Sequence, residues 1–107
     1  MPEILDVLLV DQVWLGNSYD ARPCVVIQVS PGKYLGVLLI SSATDLFNAT
    51  WDFTISKEHP DFPQSGLSKT SYVKGYKVFD IDDSMIVKKL GRLTGSLAID
   101  FKNWIGL

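Results

Sequence analysis

Hydrophobic and polar residues follow two rhythms along this chain. Through the first two-thirds, short runs of Val, Ile, Leu and aromatic residues at 6–11, 22–30, 34–41, 51–56 and 71–81 are mostly bounded by turn-formers, which predicts five strands. Ser30-Pro31-Gly32-Lys33 has the composition of a hairpin turn, with proline setting φ at the second position and glycine accepting positive φ at the third. That turn pairs 22–30 antiparallel with 34–41, and counting outward from it carries Arg22 towards Ser41 or Ser42. Residues 58–66 contain two prolines and a glycine, the pattern of an exposed loop. The rhythm then changes. Leu97, Phe101, Trp104 and Ile105 recur at helical spacing, with Thr94 or Ser96 as N-cap and Gly106 as stop. A shorter helical turn is expected over 83–90, ahead of Gly91. Five short strands and a terminal helix predict a mainly β, α+β domain: a small, strongly curved antiparallel sheet or barrel with the helix packed on it.

Length and composition narrow the classes. The chain has 107 residues, room for one domain, and its 47% hydrophobic and 21% charged residues are the balance of a globular protein. No apolar run approaches the roughly 20 residues of a membrane helix, and no basic, apolar leader is apparent, so a cytoplasmic location without membrane association is expected. Cys24 is the only cysteine and His59 the only histidine, so neither a disulfide nor a zinc centre is expected, and no metal or other cofactor. The net charge of −2 hides a division: residues 1–65 carry three bases and eight acids, residues 66–107 seven bases and four acids. The second part is the better place for an anionic partner, although a solvated face accounts equally well for the split.

No phosphate-binding glycine loop, dinucleotide fingerprint, metal cluster or Ser-His-Asp order occurs, so any chemistry rests on Arg, Ser, Lys and Asp. Arg22 opens the apolar run Pro23-Cys24-Val25-Val26-Ile27, a rigid anchorage that suits phosphate recognition. The plainer reading pairs it with Asp20 as a strand-end ion pair. Cys24 reads as a small buried hydrophobe, and His59 as a solvent-exposed loop residue. Trp14 and Tyr19 flank a loop beside Arg22 and are candidates for stacking on unpaired bases, with Lys77 as a further RNA-binding candidate. Trp51 and Trp104 read as core or dimer seam. Lys88, Lys89 and Arg92 are suited to RNA backbone, to an acidic partner, or simply to water.

Taken in order, several segments resemble the MazF/PemK toxins of bacterial toxin–antitoxin systems. They are Asp6-Val7-Leu8-Leu9-Val10-Asp11, Arg22-Pro23-Cys24-Val25-Val26-Ile27, Leu39-Ile40-Ser41-Ser42, Gly66-Leu67-Ser68-Lys69-Thr70-Ser71-Tyr72-Val73, Ile81-Asp82-Asp83-Ser84 and Lys88-Lys89-Leu90-Gly91-Arg92-Leu93. The resemblance spans nearly the whole chain. It implies an SH3-like β-barrel with a C-terminal helix, a homodimer, and a metal-independent, sequence-selective endoribonuclease held inactive by a cognate antitoxin protein. It implies Arg22 and Ser41 as the central catalytic residues. Arg22 would stabilise the phosphorane bidentately while Ser41 donates a hydroxyl, and Asp20, Ser42 and Lys74 are candidates for acid/base duty or phosphate contact. The chain departs from the family pattern at Lys74-Gly75-Tyr76, where some members carry an arginine and, two residues on, an aspartate. It departs again at Leu5, where the family has glycine before the first Asp-Val pair. The Lys74-Gly75-Tyr76 departure favours the alternative of a catalytically weak or inactive barrel that binds nucleic acid or peptide.

Overall fold

Runs of β-branched and aliphatic residues become strands here because pairing in the sheet buries their apolar side chains, fully in mid-sheet and only partly at the β6 edge. The computed structural model describes residues 2–15, 18–30, 35–42 and 51–107, with the backbone alone at 12–15, 18–20, 76 and 77. The Pro31-Gly32 turn lies outside the described residues. The strands are β1 (Asp6–Leu15), β2 (Ser18–Val29), β3 (Leu35–Ser41), β4 (Asp52–Ile55), β5 (Ser71–Ile81) and β6 (Ile86–Arg92), followed by the helix α1 (Gly95–Ile105). All described strand pairs are antiparallel, in the order β4-β5-β3-β2-β1-β6.

β3 lies in mid-sheet between β2 and β5, which explains its almost unbroken apolar run. Leu38 and Ile40 face one apolar cluster, and Val37 and Leu39 face the other. The first cluster joins Val7, Val25, Ile55 and Val73 to Leu97 and Phe101 of α1, so the helix covers that face. The second joins Leu8, Val10, Cys24, Val26 and Ile81.

The expected barrel is not formed. The strand order is a line with two ends, and β4 and β6 are not hydrogen-bonded neighbours. Another segment meets the β6 edge instead. The 3-10 turn Pro63–Ser65 and Gly66 press directly on β6: a Cβ on Gly66 would stand 2.0 Å from the Leu90 carbonyl oxygen, and one on Gly91 2.2 Å from that of Gln64. On β4, Phe53 packs against Phe101 and Trp104 of α1, with ring centroids 5.3 and 5.5 Å apart. The molecule is an open-sheet α+β domain with one C-terminal helix.

Two further expectations change. Residues 83–90 are not a helical turn: Asp83–Met85 is a 3-10 turn capped by Asp82, which accepts from the Ser84 N–H, and Ile86–Arg92 continues as β6, paired with β1. The 57–69 segment is only partly exposed, because Phe62 and Ser65 are buried in it. The terminal helix follows its signals, with Thr94 at the N-cap and Gly106 left-handed at the C-cap, where its N–H reaches the Lys102 carbonyl. Among the described residues, no helix is long and apolar enough to cross a membrane.

Candidate active site

The hairpin of β2 and β3 builds one wall of a cleft. Cys24 pairs with Leu39, and a bulge at Ile27 shifts the register by one residue nearer the turn. Two further residues outward on each strand put Arg22 beside Ser41. Both line a cleft of about 360 Å³ together with Pro23, Ile40, Ser42, Leu67, Ser68, Lys69 and Ser71.

The opposite wall is the segment leading into β5, and local hydrogen bonds hold it. Ser65 Oγ donates to the Phe62 carbonyl at 2.6 Å and accepts from the Leu67 N–H at 3.2 Å. Ser71 Oγ donates to the Lys69 carbonyl at 2.8 Å, and the Lys57 N–H donates to Thr70 Oγ1 at 2.9 Å. Lys69 is therefore carried to the cleft on an anchored backbone. Two cations and four serines line the cleft, and among the described residues its lining includes no carboxylate. Such a lining suits an oxyanion, since guanidinium, ammonium and hydroxyl groups all donate hydrogen bonds.

The remaining sequence candidates fall elsewhere. Lys74 does not line the cleft: its Nζ meets Asp52 Oδ2 at 2.6 Å, and both side chains are buried. The backbones of Trp14 and Tyr19 pair with each other and that of Asp20 with Val13 across β1 and β2, while their side chains lie outside the described residues, as does that of Lys77 in β5. Trp51 is exposed, not core, whereas Trp104 stacks within the aromatic group on α1. Cys24 is fully buried, and burial pushes its thiol up to about 12, so it carries no thiolate chemistry.

His59 is not the free loop residue its neighbours suggest. Its Nδ1 accepts the Asp61 backbone N–H at 3.0 Å, its Nε2 lies 3.3 Å from Ser96 Oγ, and Ser96 Oγ donates to Asp61 Oδ2 at 3.4 Å. With Nδ1 an acceptor, the neutral ring carries its proton on Nε2 and has no lone pair to take one from Ser96. The trio ties the loop to the start of α1; it is not a nucleophilic triad.

Sequence reasoning missed Lys69, Ser68 and Ser71 as site residues. Its signal for the segment was the motif itself, and nothing local shows that it crosses the end of β3. Among the described residues, no group of three His, Cys, Asp or Glu side chains is placed to hold a metal ion. Comparison of the chain with protein-family models and with curated proteins finds no match.

Proposed function

We propose that this chain is an endoribonuclease that cleaves single-stranded RNA without a metal, and that it acts in the cytoplasm as the toxin of a toxin–antitoxin pair. The observation that carries the reading is the convergence of Arg22 and Ser41 in one cleft with Lys69. The ordered resemblance to the MazF/PemK toxins supports the same pair of residues.

In the proposed reaction the ribose 2′-oxygen attacks the adjacent phosphorus and the bond to the 5′-oxygen breaks, leaving a 2′,3′-cyclic phosphate and a 5′-hydroxyl. Negative charge builds on the non-bridging oxygens. Arg22 offers them two parallel N–H donors, and Ser41 and Ser42 offer hydroxyls. The 2′ proton goes to a carboxylate, for which Asp20, two positions before Arg22, is the candidate; the 5′-oxygen takes a proton from water. Loss of that carboxylate is expected to slow cleavage by about 10²–10⁴-fold.

The deciding experiment incubates the purified protein with single-stranded RNA in excess chelator. Cleavage is expected, and Arg22→Ala and Ser41→Ala should abolish it while leaving the thermal transition in place. Cleavage retained by both variants overturns the assignment. A second reading, a binding module without nuclease activity, is favoured by the departure at Lys74-Gly75-Tyr76, where Lys74 is paired with buried Asp52 and does not line the cleft. It predicts RNA or peptide bound but uncut under the same conditions. The proposed partners are a second copy of the chain and an antitoxin protein. Sedimentation as a dimer at micromolar concentration, and a small acidic protein encoded next to this one, are the expected observations.

A further inference from the structure

Across the strands, the residues at the outer end of the sheet form one row. Val10 pairs with Arg22, Ser41 with Tyr72, and Tyr72 with Thr54. The Cys24–Leu39 register sets Arg22 beside Ser41, so the row runs Arg22, Ser41, Tyr72, Thr54. Paired residues of antiparallel strands project from the same face, here the face opposite α1. Arg22, Ser41 and Tyr72 are half-buried and Thr54 is exposed, so the row borders solvent.

Tyr72 stands one strand beyond Ser41 and shares its face, while the adjacent Ser71, which lines the cleft, projects from the other. Its ring has a built support: Lys74 Nζ lies 6.0 Å from the ring centroid, and Asp52 Oδ2 holds that ammonium at 2.6 Å. β2 and β5 are two strand spacings apart, about 10 Å. That is the reach from a phosphate bound at Arg22 and Ser41 to the base of an adjoining nucleotide.

Resting on the ribonuclease reading, we propose that Tyr72 is a nucleobase platform: a ring on which one base stacks when the backbone phosphate beside it sits in the Arg22–Ser41 cleft. The cleft binds backbone and carries no sequence information, so preference for particular bases enters through Tyr72. A cation held against the phenol draws electron density from the ring and favours stacking on electron-rich purines.

The test measures binding of a mixed-sequence 2′-O-methyl RNA heptamer, which cannot be cleaved, and of the same backbone made wholly abasic. For the base-bearing heptamer, Tyr72→Leu is expected to weaken binding by about tenfold, and Tyr72→Phe to retain wild-type affinity. For the abasic backbone, Tyr72→Leu should bind as well as the wild type, while Arg22→Ala weakens both ligands. A Tyr72→Leu loss equal for the two ligands, or no loss for either, overturns the platform and leaves the ribonuclease reading intact. A wild-type protein that binds neither ligand removes the ribonuclease reading and the platform with it.

Discussion

Asp52 and Lys74 stand opposite each other on β4 and β5, and Asp52 Oδ2 meets Lys74 Nζ at 2.6 Å with both side chains buried. A charge in such a place is tolerable only with its partner, because removing one leaves the other desolvated. Lys74→Met or Asp52→Asn alone should destabilise the fold by about 3–5 kcal/mol, while Lys74→Met combined with Asp52→Leu should recover most of the loss. Urea denaturation of the three variants checks this. A double variant no more stable than either single one would show that the pair is not the cause.

Asp6 is a buried carboxylate with three donors. Burial pushes its carboxyl up, but the Glu3 backbone N–H, Arg92 and Lys89 together outweigh this and hold it below the ordinary aspartate value. A carboxyl depressed in the folded state stabilises above its unfolded pKa of about 3.9, and that contribution is lost as pH falls through the lower folded value. Asp6→Asn is therefore expected to be less stable than the wild type at pH 7, with the gap narrowing as the pH drops below about 4. Denaturation midpoints across pH 2–7 measure it; a gap that does not change with pH would refute it.

Leu5 is the one described residue other than glycine with a positive φ, at 79°, yet its side chain is buried in the main core. Its backbone is pinned on both sides, donating to the Val26 carbonyl and accepting from the Leu93 N–H. A left-handed Leu costs about 1–2 kcal/mol, which glycine avoids. Leu5→Ala keeps the strain and loses the packing; Leu5→Gly loses the packing alone. Stability should fall in the order wild type, Leu5→Gly, Leu5→Ala, with the two variants about 1 kcal/mol apart, the reverse of their usual ranking. Thermal denaturation of the pair decides it.

Cys24 is wholly buried and its thiol is pushed up to about 12. At pH 8 the native protein should react with iodoacetamide slower than an ordinary exposed thiol by about three orders of magnitude, and at the ordinary rate once unfolded. Mass spectrometry of timed samples follows the adduct. Fast labelling of the native state would contradict the burial.

Local pattern carried much of the fold. The apolar run 71–81 became β5 at the same bounds, and Thr94 and Gly106 bracket α1 where expected, although only Gly106 makes its capping hydrogen bond, the Thr94 side chain making none. Residues 83–90 misled because Lys88 and Lys89 follow Ile86-Val87 without clear alternation; pairing with β1, far away in the chain, made them a strand. In the site, the approach of Arg22 to Ser41 or Ser42 was legible because the two strands that hold them are neighbours in the chain. The bulge at Ile27 then set Arg22 beside Ser41. Lys69 and Tyr72 were not legible, because they arrive through the β3–β5 pairing, and nothing near them in the chain specifies it.

By itself, the amino-acid order determined which segments can bury an apolar face, where the helix begins and ends, and which two strands share a hairpin, since all of these depend on neighbours within a few residues. Only the tertiary structure decided that the sheet stays open, that Asp52 neutralises Lys74, and that Lys69 faces Arg22 across a cleft. Those outcomes depend on which distant segments reach a strand edge first. At the β6 edge, the bare backbones of Gly66 and Gly91 let the 63–66 turn pack where a closing strand would lie.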